Sequence, residues 1–251
     1  MDPEAHTPHP TPTFSRPTET QTSQDVPTGR MVVDARALLA RLPTKSVGLI
    51  ITDPPWDIHD GPKFNAATPY ERLGVEEIVG IFDEARRVLV SGGHLYVFAT
   101  VGKEILDVLR AFEAHGWTFL RLLAWDKGAN KGLGAYRNAW EPVLIFSNGR
   151  PRRYQKRVTY SSLLRARSIG RRTAKPWELY EVFVEMSSRP GELVVDPFCG
   201  TNPLQKACER IQPPRRWLAG DLLPPEVIAE QLAARPREQA PAPPEPNEAS
   251  A

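Results

Sequence analysis

The chain has little cysteine, little histidine and no long apolar run. Only two of its 251 residues are cysteine, Cys199 and Cys208. Two thiols give no disulfide framework, which fits a reducing cytoplasm. The five histidines are scattered, with His6 and His9 near the start, so no metal constellation is expected. No stretch of about 18 apolar residues occurs, which argues against a transmembrane helix. The first residues are polar and rich in Pro and Thr, without the apolar core of a secretion signal. A dominant sign of charge is missing too. Net charge is only +2, so attraction to nucleic acid has to come from local clustering. Hydrophobic content of 41% and charged content of 25% are ordinary for a globular protein. The length supports one full-size domain.

Both ends read as disordered. Residues 1–28 are rich in Pro, Thr, Ser and Gln, and residues 236–251 in Pro, Glu and Ala. Between them apolar strands alternate with helices. Strands are predicted at 31–35, 47–51, 94–99, 118–125, 140–147, 192–195 and 216–220. Helices are predicted at 37–41, 76–90, 103–114, 176–187, 203–210 and 225–234. Ser91-Gly92-Gly93 is expected to stop the second helix. Leu179, Val182, Phe183 and Met186 are expected inward on the helix that contains them. Trp117, Trp125 and Trp217 are expected in the core or on a sheet face, and the two cysteines are expected to be small packing residues. The alternation predicts an α/β fold with a largely parallel sheet and helices on both faces.

One strand ends in a chemically pointed way. Val47-Gly48-Leu49-Ile50-Ile51 runs into Thr52-Asp53-Pro54-Pro55-Trp56. Two prolines stiffen the exit, leaving a carboxylate, rigid carbonyls and a flat ring at the carboxyl end of a strand. Ligands bind at that end in open α/β sheets. The exocyclic amine of a nucleobase is a poor nucleophile, because its lone pair is conjugated into the ring. Asp53 and the Pro54 carbonyl can accept its hydrogen bonds and so aim that lone pair at an electrophile. Trp56 offers a face for an extruded base, a contact worth about 1–3 kcal/mol. Taken alone, the motif is equally compatible with a capped strand end. The irregular stretch 57–70 that follows is a candidate lid.

Residues 150–175 hold ten Arg or Lys and no acid. They are Arg150, Arg152, Arg153, Lys156, Arg157, Arg165, Arg167, Arg171, Arg172 and Lys175, with Tyr154 and Tyr160 interleaved. Such a stripe is the expected footprint of a phosphate backbone, or else a solvated basic loop.

A second signature, Asp196-Pro197-Phe198-Cys199-Gly200, lies between a strand and a helix. With Asp53-Pro54-Pro55-Trp56 it resembles the S-adenosylmethionine-dependent amino methyltransferases of nucleic acids. The order, catalytic motif first and cofactor motif near the C-terminus, is similar to their permuted β-class. The resemblance covers roughly residues 30–234. It implies a Rossmann-like methyltransferase domain over residues 29–235, with residues 150–175 as its target-recognition segment. It implies that Asp53 to Trp56 hold the target base, and that Asp196, Phe198, Gly200 and Asn202 form the cofactor loop. Asp221 would bind the cofactor ribose, Asp34 and Ala35 would lie near its adenine, and Lys175 would line its site. Glu141 matches the acid of a family His-Glu pair, with Trp140 in place of the histidine.

Other positions depart from the family. Asn202 stands where it has glycine, Pro203-Leu204 where it has Thr-Thr, and Val33 where it has glycine. Asn accepts unusual backbone angles and proline suits a first helical turn, so the loop is expected to form.

The implied activity is methyl transfer from S-adenosyl-L-methionine to a base amine, N6 of adenine in DNA, in the cytoplasm. Cytosine N4 and adenine in RNA are alternatives. So is a nucleic-acid-binding subunit with weak catalysis, which the altered loop suggests. Family members of this class are often homodimers.

Overall fold

The computed structural model describes residues 22–57, 72–102, 104–128, 139–156, 159–166 and 174–234. The expected tail 236–251, most of the candidate lid, and Arg157, Arg167, Arg171 and Arg172 lie outside the described residues. In chain order the elements are β1 (Gly29–Val32), α1 (Ala35–Ala40), β2 (Val47–Thr52), α2 (Val75–Val88), β3 (Leu89–Phe98), α3 (Glu104–Ala114) and β4 (Thr118–Asp126). Then come β5 (Trp140–Ser147), β6 (Leu163–Arg165), α4 (Trp177–Ser187), β7 (Leu193–Asp196), α5 (Pro203–Arg210), β8 (Arg216–Asp221) and α6 (Pro225–Ala234).

The strands form one sheet in the order β1-β8-β7-β2-β3-β5-β4-β6. β5 runs antiparallel to both neighbours, and the other pairings are parallel. The expected α/β, mostly parallel architecture is therefore what forms. Every residue of β2 is buried, because this central strand has a helical layer on each face. Val47 and Ile50 pack on the side of α1, α2 and α3, while Leu49 and Ile51 pack on the side of α4 and α5. Strict alternation would put Val47 with Leu49. A register irregularity at Gly48 breaks the alternation. A side chain at Gly48 would run into Glu192. Aromatic stacks seal both layers: Phe112 on Phe146 at 4.5 Å on one side, Tyr96 on Phe183 at 4.5 Å on the other.

Three expectations fail here. Order starts before residue 29: Ser23–Asp25 is a 3-10 turn closed by Thr22 N–H on Asp25 Oδ2 at 2.8 Å, and Val26 is buried. Ser91-Gly92-Gly93 does not end a helix but lies inside β3. The first of its glycines serves a crossing. Gly92 has φ +70 and exchanges backbone bonds with Asn148 (2.9 Å) and Arg152 (3.0 Å), and that chain passes where a Cβ would be. On α4 the buried face carries Leu179, Tyr180, Phe183, Val184 and Ser187, with Val182 and Met186 only half-buried.

The sheet reverses its winding between β7 and β2. From there the order runs β8, β1 on one side and β3, β5, β4, β6 on the other. Ile50 pairs with Val195, so the carboxyl ends of β2 and β7 emerge side by side. That is the topological switch point of an open α/β sheet.

Candidate active site

The motif after β2 is pinned from three sides. Trp56 N–H donates to the Pro54 carbonyl at 2.9 Å, which makes a tight turn. The indole Nε1–H donates to the Phe98 carbonyl at the end of β3, also at 2.9 Å. Leu73 closes the far side: its N–H reaches the Pro55 carbonyl, and its carbonyl takes the Asp57 N–H, each at 2.9 Å. The Pro54 carbonyl thus spends one lone pair on the turn and keeps the second.

Asp53 Oδ2 accepts from Lys175 Nζ at 2.6 Å. Lys175 lies 3.2 Å from Glu141 Oε2, and Lys127 bonds Glu141 Oε1 at 2.9 Å. The four side chains make a chain of alternating charge. Burial pushes the Asp53 carboxyl above the usual range, and Lys175 opposes this. Burial also works against the charge on Lys175, yet Asp53 and Glu141 hold its pKa above the ordinary lysine value. For Glu141 burial raises the pKa, but Lys175 and Lys127 outweigh it and the net shift is downward. Sequence reasoning found Asp53, Lys175 and Glu141 but did not join them. Lys127 it missed, because it sits in a polar stretch with no distinguishing pattern.

The second loop follows β7. Asp196 is fully buried; its Oδ1 accepts from Phe198 N–H at 3.1 Å and its Oδ2 from the Tyr180 hydroxyl at 3.2 Å. Burial drives its carboxyl up to about 8, with Asp53 and Asp221 adding to the rise. Gly200 (φ +49) and Asn202 (φ 57) are both left-handed. Gly200 N–H donates to Asp221 Oδ2 at 2.8 Å, and Leu223 N–H to Oδ1 at 2.9 Å. Asn202 caps α5, its side chain facing Gln205 N–H at 3.4 Å with Pro203 in the first turn. The departure from glycine is therefore absorbed by a residue that tolerates φ > 0 and supplies a cap. Asp34 follows β1 and caps α1 through Arg36 N–H (2.8 Å) and Ala37 N–H (3.3 Å); Ala35 is buried below it. The acids Asp34, Asp221 and Asp196 thus stand at the ends of adjacent strands β1, β8 and β7. Tyr180, under Asp196, was missed because an inward helical tyrosine looks like any core aromatic.

Among the described residues the basic segment does not form one footprint. Arg152 bonds Gly92, near the start of β3, whereas Trp56 sits at the end of that strand. Six residues of strand separate the two levels, about 20 Å. Arg150 and Arg153 are exposed near that far end. Arg152 is not free for phosphate at all. Its guanidinium pairs with Glu192 at 2.7 Å, reaches the Gly48 carbonyl at 2.7 Å and also bonds the Ser187 carbonyl. Lys156 pairs with Glu185 at 2.7 Å, near the last turn of α4. Arg165 differs: it ends β6 beside Asp126, at the same end of the sheet as Asp53, and its side chain is 80% exposed. β6 itself was not predicted, being three residues long within a basic stretch.

A family profile for N6 and N4 amines, described as DNA methylase, matches residues 47–213, from the start of β2 past the end of α5. The chain belongs to the N6/N4 DNA methylase family. It is 26% identical over 213 residues to the DNA adenine methyltransferase YhdJ of Escherichia coli, covering 67% of this chain and 70% of YhdJ. It is 25% identical over 209 residues to the type II methyltransferase M.HpaI of Haemophilus parainfluenzae, covering 69% of this chain and 64% of M.HpaI. The match therefore spans a little under two thirds of M.HpaI. Among solved structures, TTHA0409 of Thermus thermophilus, a DNA modification methylase by description, superposes with TM-score 0.60 at 26% identity. That match covers 82% of this chain and 96% of TTHA0409. Another structure of TTHA0409 is a complex with S-adenosyl-L-methionine.

Proposed function

We propose that this chain transfers a methyl group from S-adenosyl-L-methionine to the exocyclic amine of a base in DNA, N6 of adenine. One observation carries the reading. The amine-holding motif and the glycine loop leave neighbouring strands at the switch point, where Ile50 pairs with Val195, and Asp53 is close enough to add to the upward shift of Asp196.

The donor set suits that cofactor. Neither Asp196 nor Asp221 has an ion-pair partner among the described residues; a cationic ligand would favour the charged form of the buried Asp196, and hydroxyl donors suit Asp221. When bound, S-adenosyl-L-methionine supplies an activated methyl on a positively charged sulfur. Asp196, Phe198, Gly200, Asn202 and Asp221 would hold it, with Asp34 and Ala35 near its base. The chain's other residues do the rest. Asp53 and the free lone pair of the Pro54 carbonyl accept from the amine and localise its lone pair. Pro55 stiffens the turn and Trp56 packs on the base. As the nitrogen–carbon bond forms and the carbon–sulfur bond breaks, one amine proton is released, and Asp53 is the group placed to take it. Orientation supplies most of the acceleration.

Arg165 faces the DNA backbone at the rim of this end. Arg167, Arg171 and Arg172, next to it in the chain, are assigned to the same contact. The adenine assignment follows the aspartate at position 53 and the described activity of YhdJ.

The test is titration calorimetry with S-adenosyl-L-methionine, then methylation of plasmid DNA with a labelled methyl group. Digestion of the product to nucleosides identifies the base. Asp53→Ala is expected to abolish transfer while cofactor affinity stays within a few-fold. Full activity in that variant overturns the assignment. Methylated cytosine refutes the adenine choice, and absence of any cofactor binding by folded protein refutes the enzyme reading.

A further inference from the structure

The resemblance assigns Lys175 to the cofactor site, and in the fold its ammonium sits directly on the Asp53 carboxylate. Nζ is 2.6 Å from Asp53 Oδ2 and 3.2 Å from Glu141 Oε2. It also lies over the Phe98 ring at 5.2 Å and the Trp125 ring at 5.9 Å. The side chain is 10% exposed, so two carboxylates and two ring faces define where the charge sits. Glu141 cannot swing away to compete for a substrate, since Lys127 holds its other oxygen. The backbone is fixed as well: Ala174 and Pro176 on either side are buried, and the residue before a proline is kept extended.

We propose that Lys175, clamped by Glu141, is a positioning residue that occupies Oδ2 of Asp53 and reserves Oδ1 for the target amine. The proposal rests on the methyltransferase reading and deepens it. Asp53 has to accept from the amine, and a protonated carboxyl would donate instead. Burial favours the protonated form, and Lys175 is the cation in direct contact that opposes it. The other charged or titratable groups acting on Asp53 or on its neighbours here are Glu141 from β5, Lys127 after β4, Asp196 from β7 and Tyr180 from α4.

Opposite signs follow for two substitutions in one cluster. Lys175→Met removes the opposing cation, so Asp53 titrates at higher pH. Glu141→Gln removes a carboxylate that raises Asp53 and leaves Lys175 to Asp53 alone, so Asp53 titrates at lower pH. The experiment measures kcat and KM against pH for wild type and both variants, cofactor affinity by calorimetry, and the Asp53 carboxyl carbon by NMR titration. The acidic limb of kcat is expected to move up in Lys175→Met and down in Glu141→Gln. At neutral pH kcat of Lys175→Met falls about 100-fold, as for a misplaced reacting group. Its cofactor affinity stays within a few-fold, and Lys175→Arg keeps the limb near its wild-type position.

Limbs that do not move in either variant overturn the proposal. So does a tenfold loss of cofactor affinity in Lys175→Met with an unmoved limb, which makes Lys175 a cofactor residue. Should Lys175→Met fail to fold, the sign of the Glu141→Gln shift decides alone. The NMR titration needs no turnover. A wild type that methylates nothing therefore refutes the functional reading, while the direction of the Asp53 shift still judges this one.

Discussion

Arg152→Met separates a structural arginine from a DNA-binding one. The substitution keeps most of the apolar stem and removes the guanidinium. In the native fold that group makes a two-point pair with Glu192, at 2.7 and 3.0 Å, and bonds the carbonyls of Gly48 and Ser187. It ties the chain crossing Gly92 to β2, to the end of α4 and to the residue before β7. Breaking a buried pair by removing one partner costs about 3–5 kcal/mol. Glu192 is 21% exposed and keeps the Arg189 N–H at 2.8 Å, so the low end applies, about 3 kcal/mol. For a domain of this size that lowers Tm by roughly 6–12 °C. Urea unfolding at unchanged slope and scanning calorimetry give the number. DNA affinity and its salt dependence, read by fluorescence anisotropy, are expected to stay at wild-type values. A loss below 1 kcal/mol together with weakened DNA binding refutes the reasoning and returns Arg152 to the phosphate-contacting set.

Arg165→Ala is expected to behave the other way, with stability unchanged and the slope of log affinity against log salt reduced by about one phosphate contact; the anisotropy titration checks it. Asp196 titrates in the fold at about 8, above its ordinary value near 3.8, so between those pH values the native state holds a proton that the unfolded chain has lost. This group's contribution to stability therefore falls as pH rises from about 4 to about 8, and Asp196→Asn should remove that slope from urea midpoints measured across the range. Asn202→Gly should be nearly neutral in urea unfolding. Asn202→Val forces a β-branched residue to φ 57 and should cost about 1–2 kcal/mol. Burial pushes the Cys199 thiol up to about 12, so alkylation of folded protein at pH 8 should be slow and should accelerate on unfolding.

Much of the fold was legible because local signals agreed with the tertiary answer. β5, α5 and α6 begin and end where apolar pattern, proline and turn residues put them. The two loops at the switch point were legible for the same reason: Asp-Pro-Pro-Trp and Asp-Pro-Phe-Cys-Gly are unusual local strings at strand ends. What was hidden depends on pairing across the chain. Gly92 and Gly93 look like a helix stop, and only the chain crossing at residues 150–152 explains why Gly92 has no side chain. Arg152 and Arg165 are both arginines of one basic run, but one is consumed by Glu192 and two backbone carbonyls and the other is 80% exposed. Composition counts charges without knowing their partners. Lys127 and Tyr180 matter through contacts with residues 14 and 16 positions away, which no local period encodes.

The pair of hydrogen bonds between Leu73 and the backbone of Pro55 and Asp57 has an engineering consequence. It ties Pro55 and Asp57 directly to Leu73, so the turn after Asp53 has backbone anchors of its own among the described residues. Closing a longer insert there adds only about 0.6 kcal/mol for each doubling of length. The described backbone is thus stapled on both sides of the stretch from 57 to 73, beside the Asp53 carboxylate. Segments of different length exchanged between these two points are expected to leave Asp53 and Trp56 in place, which the activity of such exchanges checks.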